Sequence, residues 1–171
     1  MCKRIFTVLC MSAVILLGAC GSPGNKENAD ASARTIWSSE KANEWYSGQP
    51  WYVGANFLPS TAINQLEMWQ AETFDTATIN KELGYAESLG MNTMRVYLHD
   101  LVWQHDEQGF YERINKFLEI AGRHHIKIIF TLFDSCWDPF PVPGKQREPQ
   151  PFVHNSGWVQ SPGQKVLKDS T

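Results

Sequence analysis

At 171 residues, 43% of them hydrophobic, the chain is long enough to bury a core of its own. A net charge of −3 leaves no basic footprint of the kind nucleic acid requires, and an aromatic content of 12% suits neutral ligands better.

The N-terminus opens on Lys3 and Arg4, followed by a mostly apolar run from Ile5 to Leu17. That run is too short for a comfortable membrane span and has the layout of an export signal. It ends in Leu17-Gly18-Ala19-Cys20, which resembles the lipobox of bacterial lipoproteins. The resemblance implies removal of residues 1–19, a lipid on Cys20, and attachment to a membrane on its periplasmic or cell-surface side. Cys2 and Cys10 would leave with the signal, so Cys136 would stand alone and no intramolecular disulfide could form. Gly21 to Ala33 holds no large apolar residue and reads as a flexible tether, so that residues 20–44 link the lipid to a folded part at 45–171.

In that folded part, Trp45 to Pro50 looks like a strand-edge turn and Trp51 to Phe57 like a strand. Its small Gly54 and Ala55 permit close backbone approach. Leu58 to Thr73 is a long connection, of the length that is usually functional or mobile. Asp75 is the expected N-cap of a helix carrying Ile79, Leu83, Ala86 and Leu89, closed by Gly90. From Asn92 to Leu98 the pattern alternates, with Met94, Val96 and Leu98 on one side and Thr93, Arg95 and Tyr97 on the other, the period of a strand. An arginine in mid-strand is costly to bury without a partner or a ligand, so the polar side is expected to line a barrel mouth. A polar loop at Asp106–Gly109 precedes a second amphipathic helix marked by Phe110, Ile114, Phe117, Leu118 and Ala121. His124 and His125 fall in its last turn, where they complement the helix dipole. Ile126 to Phe133 is nearly continuously apolar, as in a parallel strand covered on both faces. Loops rich in proline follow, and Gln164 to Lys168 can begin a third helix.

Alternating strands and helices mean βαβ units with right-handed crossovers. A doubly wound nucleotide-binding sheet would need a glycine cluster after the first strand, and Asn56-Phe57-Leu58-Pro59-Ser60 has none. A (β/α)8 barrel fits better, because its chemistry sits after strand ends, where Asn56, His99, Asp100, Asp134 and Trp137 all fall. The expected fold is therefore α/β, about three βα units forming the N-terminal portion of an incomplete TIM barrel, since a whole one needs about 250 residues.

Five segments carry a further resemblance: Gly54-Ala55-Asn56-Phe57, Asn64 to Gln70, Gly90 to Arg95, Phe133 to Trp137, and His154 to Trp158. In this order they resemble the N-terminal part of clan A glycoside hydrolases, closest to bacterial cellulase-like enzymes often described as β-1,4-xylanases. The resemblance implies a retaining hydrolase of β-linked polysaccharide with two glutamates, one protonating the leaving oxygen and one attacking the anomeric carbon. Those glutamates follow the fourth and seventh strands of the family's barrel, beyond the three strands here, so no catalytic residue is carried over and the chain looks like a truncated product or fragment. What carries over is a substrate-binding shell of Asn56, Trp69, Arg95, His99, Asp100, Asp134, Trp137, His154 and Trp158. In the family the arginine supports the active-site carboxylates. Flat tryptophan rings can pack on apolar sugar faces, but each can equally anchor its loop in the core. The alternative function is a non-catalytic, surface glycan-binding lipoprotein.

No cofactor is implied. Cys136 as a thiol nucleophile with His99 or His154 has no local signature behind it. His99, Asp100, His105 and Asp106 match no familiar metal-ligand spacing. Hydrophobic open edges at the first and third strands are expected to make the chain poorly stable and prone to association.

Overall fold

A computed structural model describes residues 36–169. The signal segment, Cys20 and the tether as far as Thr35 lie outside the described residues. The chain divides into two units after Gln49. Among the described residues no helix is long and apolar enough to cross a membrane.

The described part of the first unit is a helix, α1 (Ser39–Ser47), where the sequence reading expected the end of a tether and a strand-edge turn at Trp45–Pro50. The physical reason is local. Ser38 caps the helix by accepting from the Lys41 amide at 3.3 Å, Glu40 sits in the first turn, and Gly48 follows the last residue. Trp37 and Trp45 meet edge to face with ring centroids 6.1 Å apart, and the Lys41 ammonium lies 4.8 Å from the Trp37 centroid. No residue of α1 is buried.

The second unit is built on a three-stranded parallel sheet in the order β1 (Gly54–Asn56), β2 (Thr93–Tyr97), β3 (Lys127–Thr131). Between β1 and β2 come α2 (Gln65–Trp69) and α3 (Thr76–Ser88). Between β2 and β3 come α4 (Asp100–His105) and α5 (Glu107–Arg123), and α6 (Gln164–Leu167) ends the described chain. This is the α/β alternation read from the sequence.

Local chemistry explains where the elements begin and end. The Asp75 carboxylate caps α3, accepting from the amides of Ala77 at 3.1 Å and Thr78 at 3.0 Å. Gly90 adopts φ +80°, a left-handed conformation that β-carbon sterics discourage in other residues, and turns the chain out of the helix. Asn92 then ties the start of β2 to the approach of β1, accepting from the Val53 amide at 2.8 Å and donating to the Trp51 carbonyl at 2.9 Å. Gly54 is required where it stands, because a β-carbon there would lie 1.8 Å from the Thr93 carbonyl oxygen. That close approach fixes a register in which Gly54 faces Thr93 and Asn56 faces Arg95, and β3 continues it with Ile129 beside Arg95.

The alternation in β2 sends Met94 and Val96 into the core, with Ile79, Leu83 and Ala86 from α3 and Phe117, Ile120 and Ala121 from α5. Burying each large side chain of this set contributes roughly 1.5–3 kcal/mol. The opposite face of the sheet, with Asn56, Arg95 and Ile129 exposed, carries no covering layer among the described residues.

Four expectations need correcting. The first strand spans three residues rather than Trp51 to Phe57. The Leu58–Thr73 connection contains α2, whose cap Asn64 accepts from the Glu67 amide at 3.1 Å. A helix, α4, follows β2 before Asp106, whose carboxylate caps α5 and is held by Arg113 at 2.9 Å. Finally, β3 is covered on one face only, leaving Ile129 55% exposed.

Candidate functional site

The C-terminal ends of the three strands open into one cleft of about 440 Å³, within the range of roughly 300–1,000 Å³ common for small-molecule sites. Asn56, Arg95, Asp134, Trp137, His154 and Trp158 all line it. Six of the nine substrate-binding residues expected from the sequence are thus brought together, from segments as far apart as β1 and the loop before α6.

Arg95 forms the floor. Its Nε donates to Asn56 Oδ1 at 2.8 Å, its Nη2 donates to the Tyr97 hydroxyl, and its guanidinium carbon lies 5.1 Å from the Tyr97 ring centroid. Parallel register places Asn56 beside Arg95, and the two-residue period places Tyr97 on the same face, so the sheet itself sets the guanidinium's orientation. Tyr97 in turn meets Trp158 edge to face, with centroids 5.4 Å apart at 87°. On the other wall, Trp137 and His154 make a similar contact at 5.6 Å and 71°.

The loops that carry these rings are held by backbone bonds rather than by helices. The Asp134 and Ser161 main chains exchange hydrogen bonds at 2.6 and 2.8 Å. The Asp138 amide donates to the Trp158 carbonyl at 3.3 Å, and the Gln160 amide donates to the Asp138 carbonyl at 2.8 Å. Beneath them, buried amides of α2 and its cap reach up: Asn64 Nδ2 donates to the Gly157 carbonyl at 2.8 Å and Gln65 Nε2 to the Val159 carbonyl at 2.6 Å. Two lining residues have left-handed backbones, Trp137 at φ +75° and Asn155 at φ +49°. Asparagine tolerates this conformation, whereas for a tryptophan it is a local strain that the surrounding bridges hold in place.

The other three expected residues are not in the cleft. Trp69 is fully buried among Phe74, Phe110, Phe117 and Phe130, and its indole N–H donates to the Tyr97 carbonyl at 2.8 Å. It is a core residue that supports the end of β2 from behind and cannot touch a ligand. His99 is 1% exposed and caps α4, with Nδ1 lying 3.2 Å from the Leu101 amide and Nε2 3.0 Å from the Gln160 carbonyl. Asp100 starts α4, takes a hydrogen bond from the Ser161 hydroxyl at 2.8 Å, and lies 3.1 Å from His99 Nδ1. Burial pushes the Asp100 carboxyl up, but its polar contacts with the His99 ring and the Ser161 hydroxyl outweigh it, and its pKa falls below the usual value. His99 and Asp100 lock the loop after β3 onto the end of β2, and they line a separate groove beside Trp103 and Phe133.

Besides the apolar Leu58, the lining includes two polar residues that the sequence did not mark as site members, Tyr97 and Asn155. Both had a signal: Tyr97 shares the polar side of β2 with Arg95, and Asn155 lies within the His154–Trp158 segment. Cys136 is exposed, and no group of three or more histidine, cysteine or acidic residues suited to a metal ion occurs among the described residues.

Chemically, the cleft offers an oriented cation, amide and carboxylate hydrogen-bonding groups, and exposed ring surfaces. Its described lining includes a single carboxylate, Asp134, and no glutamate. Comparison with protein-family models, with curated proteins and with solved structures returned no match for this chain.

Proposed function

We propose that this chain carries the sugar-binding part of a glycoside hydrolase acting on β-linked polysaccharide, xylanase- or cellulase-like and retaining, built on the first three βα units of a (β/α)8 barrel. The observation that carries this reading is the convergence of Trp137, Trp158, Arg95, Asn56, Asp134 and His154 in one cleft at the C-terminal ends of parallel strands. That is the face on which barrel enzymes keep their sites. Rings beside hydrogen-bonding groups suit a ligand with apolar ring faces and many hydroxyls.

Hydrolysis with retention needs two carboxyl groups about 5–5.5 Å apart. Asp134 is the one carboxylate among the cleft's described residues, so this chain binds rather than cleaves unless further strands supply the pair. Its action on a membrane-facing polysaccharide would follow from the lipobox-like segment ending at Cys20.

Affinity electrophoresis of the full chain through gels containing xylan, mannan or glucan tests the reading. Retardation in at least one gel, with no release of reducing sugar, is the expected result. Unchanged migration in all three would remove the glycan-binding function. Release of reducing sugar by this chain would instead show that the cleft itself holds the catalytic machinery.

A further inference from the structure

We infer that Asn64 is a positioning residue for the cleft: it meets no ligand itself and acts by fixing where the Trp158 ring stands against Tyr97. This inference rests on the glycan-binding reading and adds to it the residue that presets the aromatic wall.

Asn64 is 0% exposed and lies outside the cleft lining. Its Oδ1 accepts from the Glu67 amide at 3.1 Å, which caps α2 and fixes the way the side-chain amide faces. Nδ2 then donates to Gln146 Oε1 at 2.9 Å and to the Gly157 carbonyl at 2.8 Å, so both of its hydrogens are used. The Gly157 carbonyl belongs to the rigid peptide plane that carries the Trp158 nitrogen, and that nitrogen donates to the Asn155 carbonyl at 2.9 Å. One plane is thus held at both ends. Gly157 permits the close approach, because a β-carbon there would lie 2.5 Å from Ile63 Cγ2. Gln146 extends the constraint to its own loop, its Nε2 donating to the Val142 and Gly144 carbonyls at 3.1 and 2.7 Å.

The same short helix holds the other member of the ring pair. Trp69 donates its indole N–H to the Tyr97 carbonyl at 2.8 Å, and Gln65 Nε2 donates to the Val159 carbonyl at 2.6 Å. Together with its cap, α2 therefore fixes the backbone of Tyr97 and the backbone on both sides of Trp158, whose rings meet at 5.4 Å and 87°. Every group in this bracket is neutral and most are buried, and an unmade hydrogen bond in such a place is costly. A ring placed in advance loses little further freedom when a sugar packs on it, which is how preorganisation raises affinity.

The test is a double-mutant cycle on the full chain, Asn64→Ser with Trp158→Ala, read by retardation in gels of xylan, mannan or glucan. Serine keeps an oxygen to cap α2 but has no amide hydrogens for Gly157 and Gln146. Asn64→Ser alone is expected to weaken binding by a few-fold to about tenfold, as loss of the ring does, and to add nothing to the loss in Trp158→Ala. Additive losses would show that Asn64 acts by a route other than Trp158. Unchanged affinity in Asn64→Ser would show that the wall needs no such support, and either result would overturn the inference. Near-ultraviolet circular dichroism gives a second readout that needs no ligand. The band lost in Trp158→Ala should also be lost in Asn64→Ser, under conditions where its far-ultraviolet spectrum is that of wild type. A band retained in full would overturn the inference even where glycan binds. If no gel retards the wild-type chain, the glycan-binding reading falls, and this band still decides where the ring is held. Asn64→Asp, which keeps the length and the cap, repeats both measurements should the serine variant not fold. Failure of both variants to fold would make Asn64 a residue that the whole fold requires and would overturn its assignment as a positioning residue.

Discussion

Arg95 and Asn56 sit opposite one another in the β1–β2 register, and Arg95 Nε donates to Asn56 Oδ1 at 2.8 Å. A side-chain bond across two parallel strands depends on register alone, because a one-residue slip would move either partner to the other face of the sheet. The orientation of the cleft's cation is therefore a direct consequence of how closely β1 approaches β2.

That approach is set by Gly54. Gly54→Ala would place a methyl group 1.8 Å from the Thr93 carbonyl oxygen, a backbone atom with little freedom to move. The variant is expected to lose about 1–3 kcal/mol, as overpacked sites do, and to bind glycan more weakly because Asn56 and Arg95 no longer align. Urea unfolding gives the first number and gel retardation the second. Wild-type stability in Gly54→Ala would mean that β1 has room the geometry does not show.

Trp137, exposed, and Trp158, half-buried, offer the indole surface of the cleft. Trp137→Ala or Trp158→Ala is expected to weaken glycan binding by a few-fold to about tenfold, the scale of an aromatic contact of 0.5–1.5 kcal/mol. Trp137 carries an additional backbone cost at φ +75°, so Trp137→Gly should unfold no more readily than Trp137→Ala while binding equally poorly. Titration of intrinsic tryptophan fluorescence with the retarding polysaccharide measures the affinities.

Trp69 behaves oppositely. Fully buried against four phenylalanines, it should cost about 3–5 kcal/mol on replacement by alanine. Trp69→Phe keeps most of the packing but leaves the Tyr97 carbonyl without its indole donor, a loss of about 1–3 kcal/mol if that oxygen stays dry. Folded Trp69→Phe protein should still bind glycan. A selective loss of binding at unchanged stability would contradict its placement in the core.

Acid should destabilise the second unit through its helix caps. The Thr78 hydroxyl and then its amide hold Asp75 below the ordinary carboxylate pKa, and Arg113 followed by the Gly109 amide does the same for Asp106. A depressed folded-state pKa contributes stability that is complete above the unfolded value, about 3.9, and is lost as pH falls through the folded one. The urea midpoint is thus expected to hold at neutral pH and to drop below about pH 4. Asp75→Asn and Asp106→Asn should each be less stable at neutral pH and show a shallower acid decline. An acid limb as steep in both variants as in wild type would assign the sensitivity to other carboxylates.

Association is expected at the outer edge of β3. Ile129, Leu132 and Phe133 are 55%, 60% and 63% exposed there, and an unpaired apolar strand edge is a template for another chain. Size-exclusion chromatography of the full chain in mild detergent should show oligomers that Ile129→Lys reduces. A monomer with a cooperative thermal transition would show that the edge is tolerated.

Much of this molecule is legible in short windows of sequence. The alternation that puts Met94 and Val96 inward and Arg95 outward, the Asp75 cap and the Gly90 turn each depend on residues within a few positions of one another. Backbone sterics and hydrogen bonding fix them before any packing occurs. The helix at Ser39–Ser47 was equally local, signalled by Ser38, Glu40 and Gly48, and the aromatic Trp45 and Tyr46 obscured it. What only the tertiary structure decided is which polar and aromatic groups meet. Trp69, Trp137 and Trp158 are indistinguishable by type and all precede or follow loops, yet Trp69 is buried because Phe110, Phe117 and Phe130 arrive from α5 and β3. His99 was lost to the cleft in the same way, when the Gln160 carbonyl, sixty-one positions away, came within 3.0 Å of its ring. Burial is a property of partners distant in sequence, whereas capping and strand period are properties of neighbours, and that difference separates the part of the site that could be read from the part that had to be seen.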